Sequence, residues 1–90
     1  KIEREYYRLL KYLQQKGDVL FFLRQVPFHL PAKIKYVLDF MVFYASGDIE
    51  MVDVKGRDTA LSIAKRKQVE ALYPVTIKIV KKIDKSAMKD

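Results

Sequence analysis

The sequence has no cysteine, no tryptophan, one histidine and only three glycines and three prolines in 90 residues. Without cysteine there is no disulfide framework and no thiolate metal site, which also suits a reducing compartment. His29 stands on a strand-like stretch with no acid beside it in sequence, so neither a zinc site nor a histidine catalyst is expected. The three glycines are not spaced as a phosphate-cradling loop. No apolar run reaches the ~18 residues that span a membrane, and the opening residues carry no leader pattern. A start at Lys1 without Met is expected of a trimmed chain.

What is present is a basic chain with a modest core. Half of the residues are hydrophobic and 12% are aromatic, enough for one small domain. The expected domain is residues 1–82, followed by a polar tail over 83–90. The net charge is +7. Residues 1–45 carry eight basic and four acidic groups and residues 46–90 carry ten and seven, so the excess is spread over the surface. Such a surface suits a polyanion, DNA or RNA. Solubility is the bland reading of the charge alone.

Ile2, Tyr6, Leu9, Leu10 and Leu13 recur at helical spacing, and Gly17 supplies a stop. This predicts a helix over 2–16 with Arg4, Arg8, Lys11 and Gln15 on its wet side. Val19-Leu20-Phe21-Phe22-Leu23 is too apolar and too short for a surface helix. It predicts a strand continuing through Val26-Pro27-Phe28-His29-Leu30, with Pro27 marking an edge or a bulge. After Pro31-Ala32-Lys33, residues 34–44 and 48–54 form a hairpin about Ser46-Gly47-Asp48. The first strand of the hairpin is apolar on both faces, as a covered central strand is. Asp58 or Thr59 caps a helix over 60–72, with Leu61, Ala64, Val69 and Leu72 inward and Tyr73-Pro74 at its end. Residues 75–80 alternate as a last strand. The order αβββαβ predicts an α/β fold, a mixed central sheet flanked by helices on its two faces.

Three residues of the hairpin carry chemistry. Asp53 and Lys55 project from one face of a strand, about 7 Å apart. Asp39 lies in the middle of an otherwise apolar run, where an unpaired carboxylate costs several kcal/mol. Carboxylates of this kind hold a divalent metal, and an ammonium beside them steers a water or a phosphate oxygen. For Asp-x-Lys alone the bland reading is an exposed ion pair at a strand end.

The pattern Asp39…Asp53-x-Lys55 resembles the active-site signature of the PD-(D/E)xK nuclease superfamily. Gln25-Val26-Pro27-Phe28, Leu38-Asp39-Phe40, Val52-Asp53-Val54-Lys55-Gly56, Lys65, Glu70 and Tyr73-Pro74 are similar to phage endonuclease I, a junction-resolving family, and to related small phage endonucleases. The likeness runs from Glu3 to about Val80. It implies a restriction-endonuclease-like core and an endonuclease that uses Mg2+, or Mn2+ in its place, on DNA, above all Holliday junctions or other branched DNA. The setting implied is the cytoplasm of a phage-infected or prophage-carrying cell.

The same resemblance implies Glu3, with Glu5 as rival, Asp39 and Asp53 as metal-binding acids, one or two ions between them. Val54 belongs to the metal set, and Lys55 orients the attacking water. Leu38 stands where many members have a proline that shapes only the backbone. Gln25, as in some relatives, and Arg57, Lys65, Arg66 and Lys67, which follow the site, are the expected DNA contacts. A homodimer is implied, intertwined by exchange at Pro31-Ala32-Lys33. A nuclease for linear or flapped DNA is the alternative within enzymes. A non-catalytic nucleic-acid-binding module on the same fold is the alternative outside them.

Overall fold

The computed structural model describes residues 2–83. Its elements are α1 (Ile2–Lys16), β1 (Val19–Leu30), a short 3-10 turn (Pro31–Lys33), β2 (Ile34–Tyr44), β3 (Ile49–Val54), α2 (Ala60–Leu72) and β4 (Ile77–Val80). This is the expected αβββαβ order. The expected tail lies, beyond residue 83, outside the described residues. The strands form one sheet in the order β1-β2-β3-β4. The first two pairings are antiparallel and β3–β4 is parallel. Short turns join the antiparallel neighbours, and α2 supplies the crossover that a parallel pair requires.

α1 stops where its sequence dictates. Gly17 adopts a φ of 93°. Its N–H donates to the Gln14 carbonyl at 3.1 Å, and the Asp18 N–H donates to Leu13 at 3.0 Å. This closure needs a left-handed residue, which glycine provides at least cost. The apolar stripe lies on the sheet as expected. Tyr6 and Leu10 are buried with Val19, Phe40, Val42, Val52 and Val54, and Ile2, Leu9 and Leu13 pack at the margin. On the opposite face Val69 of α2 packs with Phe28, Leu30, Tyr36, Leu38 and Ile77. The period of two along β3 separates the cores, sending Val52 and Val54 to α1 and Met51 to α2.

α2 is rotated from its expected register. Leu61 is 66% and Leu72 55% exposed, and Ala64 is exposed too, so of the four residues expected inward only Val69 is buried. Arg66 and Glu70 share the inner side with Val69, as spacings of three and four on a helix allow. Arg66 clamps Asp58, and Glu70 accepts the Ile77 N–H at 2.8 Å. Satisfying these polar groups outweighs burying two leucines, because an unpaired buried donor costs its full desolvation. Thr59, not Asp58, caps the helix, accepting the Ser62 N–H at 3.1 Å.

β2 is central, and its second face is covered only in part, Met41 packing half-buried against the α2 core between Phe40 and Val42 of the α1 core. Tyr36, Leu38, Phe40 and Val42 are buried while Val37 is exposed. That alternating set serves both cores, Tyr36 and Leu38 joining α2 and Phe40 and Val42 joining α1. The change of side falls at Asp39. Across from it, between the pairs Arg24↔Phe40 and Val26↔Leu38, Gln25 holds a left-handed φ of 54°. Such a residue sharpens the local twist, so the long hairpin rolls about its axis there. Pro27 lies on edge strand β1, as expected, and the bulge falls elsewhere, between Val19 and Phe21. No helix among the described residues is long and apolar enough to cross a membrane.

Candidate active site

β2 and β3 separate at the two acids. The outermost pair on that side is Phe40↔Val52, so Asp39 and Asp53 stand one step beyond it. Each carboxylate there caps the other strand's backbone. The Val54 N–H donates to Asp39 Oδ2 at 2.8 Å, and the Asp39 N–H donates to Asp53 Oδ1 at 3.3 Å. These reciprocal caps satisfy N–H groups that a diverging ladder would leave open. They also hold the two carboxylates beside each other.

Asp53 is 1% exposed, the one charged side chain in the core of the described residues. Two more donors compensate its burial. The Tyr36 hydroxyl donates to Oδ2, and Lys55 Nζ lies 3.5 Å from the same oxygen. Lys55 follows the expected period of two and is itself largely covered. Burial holds the Tyr36 hydroxyl well above the usual phenol range, and the Asp53 carboxylate adds to this, so Tyr36 stays a neutral donor. Asp39 bears the cost of burial beside a like charge. Burial pushes its carboxyl up to about 6; Asp53 and Glu3 push the same way, against the pull of the Val54 N–H.

Glu3 stands at the edge of this pair. Its Oε2 accepts Gln25 Nε2 at 3.3 Å and lies 3.6 Å from Arg24. It reaches Asp39 by charge alone. Among the described residues no three acidic or histidine side chains are grouped to hold a metal. The structure therefore brings together Asp39, Asp53 and Lys55 and leaves Glu3 engaged with β1. Val54 takes part through its backbone N–H, its side chain belonging to the α1 core.

Of the expected DNA contacts, Gln25 is at the site. Arg66 is committed to Asp58, its two nitrogens at 3.2 and 2.8 Å from the carboxylate. That pairing raises the Arg66 pKa and lowers that of Asp58. The guanidinium still acts on Tyr36 and Asp53 as a fixed positive background. Arg57 and Lys67 are exposed and Lys65 is half-buried. Tyr36 and Arg24 had no expected role, and Asp58 was expected only as a possible cap of α2. Tyr36 is an ordinary core aromatic by pattern, and only the fold sets it against Asp53. For Arg24 a signal existed, since Arg24-Gln25 interrupts an apolar strand.

Asp39 and Asp53 suit a hard cation. They offer oxygen only, and Mg2+ is commonly held by one or two carboxylates with water and phosphate oxygens completing its shell. Burial chiefly, with like charge from Asp53 and Glu3 added, raises the Asp39 carboxyl, and a cation beside it would offset that charge. No curated protein and no solved structure matches the chain. One family model does match, over residues 1–87, taking in both helices, all four strands and every residue of this site. The chain belongs to the family described as "Protein of unknown function (DUF1064)".

Proposed function

We propose that this protein is a metal-dependent endonuclease that hydrolyses DNA phosphodiester bonds. The observation that carries this reading is the Asp39–Asp53 pair at the split between β2 and β3, with Lys55 Nζ 3.5 Å from Asp53. Acids set together under cover are costly and concentrate at functional sites. In this reading Asp39 and Asp53 hold Mg2+, or Mn2+ in its place. The ion, when bound, activates a water and offsets charge on the phosphate. Lys55 orients that water and stabilises developing negative charge. Tyr36 and the Asp39 N–H keep the Asp53 carboxylate in one orientation. Arg66, tied to Asp58, adds fixed positive potential.

The likeness to PD-(D/E)xK nucleases and phage endonuclease I supports the same reading and favours branched DNA over linear or flapped DNA. It also favours a homodimer, since paired cuts need two sites and each chain has one. Two features support self-association. Edge strand β1 exposes Leu20, Phe21 and Leu23. The turn at Pro31-Ala32-Lys33 places Ala32 and Lys33 at φ 63° and 60°, a strain that an extended, exchanged hinge relieves.

A non-catalytic nucleic-acid-binding module is the second reading. It is favoured by the lack of a three-acid group among the described residues and by the full engagement of both Asp53 oxygens. Incubating four-way junction, flap and duplex DNA with wild type and Asp53→Asn decides between the two. The endonuclease reading expects cleavage that requires Mg2+, stops with EDTA and is lost in a variant that still binds DNA. Wild-type turnover by Asp53→Asn, or cleavage indifferent to EDTA, would refute it. DNA binding with no cleavage of any substrate selects the second reading.

A further inference from the structure

The wet face of α1 does more than solvate the helix. Arg4 and Arg8, one helical turn apart, project toward Arg24 of β1. With Tyr7 the three arginines line an open cleft of about 450 Å³ whose lining has three positive charges and no negative one. Arg24 is held in place, its guanidinium 4.8 Å from the Tyr7 ring centre and 5.6 Å from that of Phe40. Tyr7 is in turn set edge-on against Phe22, 5.7 Å between ring centres. Arg4 and Arg8 have no ion-pair partner among the described residues, unlike Arg66 with Asp58. Glu3, 3.6 Å from Arg24, offsets one of the three charges, and Arg4 and Arg8 face the cleft with like charges that an anion would join.

We infer that this cleft binds the phosphate backbone of a nucleic acid strand. Guanidinium forks match phosphate oxygens in pairs, and a planar cation fixed on an aromatic ring loses little freedom on binding. The cleft adjoins the acids through Arg24, whose guanidinium lies 3.6 Å from Glu3, and Glu3 accepts Gln25, which faces Asp39 across the hairpin. In the endonuclease reading, a strand held there runs on toward the Asp39–Asp53 pair. The inference deepens the proposed endonuclease reading and rests on it for the placement of the scissile phosphate, though binding itself does not require cleavage.

The test is binding of fluorescent duplex and four-way junction DNA to the full chain, without added metal and with EDTA, over a range of salt. Arg4→Gln with Arg8→Gln should weaken binding about tenfold or more. It should also lower the slope of log affinity against log salt by about one to two, one unit for each phosphate no longer neutralised. Lys11→Gln with Lys16→Gln, on the same helix but outside the cleft, is the control and should change both less. Arg24→Lys keeps the charge and removes the fork, and should weaken binding with a nearly unchanged slope. Unfolding curves for each variant separate loss of binding from loss of fold. Equal effects of the cleft and control pairs, or none from the cleft pair, would overturn the inference. So would an inorganic pyrophosphate complex that needs Arg4 and Arg8 while DNA binding does not. If wild type binds through the cleft yet cleaves nothing with Mg2+, the hydrolytic reading fails and the cleft stands.

Discussion

Folding moves the Asp39 carboxyl from its ordinary 3.8 to about 6, chiefly by burial and further through Asp53 and Glu3. The sign of the consequence is fixed by linkage. At pH 3 and below, Asp39 is protonated folded or unfolded and costs nothing. Between pH 4 and 6 the unfolded chain ionises it first, so the metal-free fold loses stability as pH rises. Above about 6 the penalty is constant. Asp39→Asn, which can still accept the Val54 N–H, should therefore raise the Tm of the metal-free protein at pH 7 and have little effect at pH 3. A Tm difference of equal size at both would remove the basis for a raised pKa. Tyr36 gives a second test at this scale. Tyr36→Phe leaves ring packing intact and deletes one donor to a buried carboxylate. The expected loss is roughly 1–3 kcal/mol in urea unfolding, and an unchanged midpoint would show that the hydroxyl does not hold Asp53.

At the scale of elements, α1 and α2 differ in how they are held. α1 reads directly from its sequence because its apolar stripe and its Gly17 stop agree with each other and with the sheet it covers. α2 does not, because polar groups set its rotation. Glu70 serves the Ile77 N–H, Arg66 serves Asp58, and Leu61 and Leu72 are left outside. Substitutions distinguish the two registers. Leu61→Gln should change stability by no more than ~0.5 kcal/mol, as at ordinary surface positions. Val69→Ala, at a position with no exposure, should cost roughly 2 kcal/mol by leaving a cavity. A large loss from Leu61→Gln would restore the register that periodicity alone suggests.

The whole molecule is long and thin, 46 × 27 × 16 Å, because β1 and β2 are long paired strands of 12 and 11 residues. Its far turn is tight and carries two non-glycine residues in left-handed conformations, at Ala32 and Lys33. Each costs about 1–2 kcal/mol relative to an ordinary conformation. If the hinge opens to exchange the N-terminal part between two chains, relief of this strain is part of the driving force. Ala32→Gly with Lys33→Gly removes the strain from the closed turn. Light scattering at fixed protein concentration should then show a smaller dimer fraction than for wild type. A dimer unaffected by both glycines would place the association elsewhere, for instance along the exposed edge of β1.

The element order, the Gly17 stop and the pairing of Asp39 and Asp53 about a short turn were all legible in the order of residues, while Pro27 left β1 as either an edge or a bulged strand. They follow from periodicity, turn chemistry and chain connectivity, which are local or nearly so. Other features exist only once the chain is folded: the inward face of α2, the Tyr36 hydroxyl on Asp53, the loss of Arg66 to Asp58, and the seat of Glu3 on Arg24 and Gln25 beside the acid pair. Each of these is a choice of polar partner between residues distant in sequence or on different elements. Satisfying a buried donor or carboxylate is worth enough to override a weak apolar pattern. No spacing rule announces such partners, because the twist of the hairpin at Gln25 and the splitting of β2 from β3 set the distances between them.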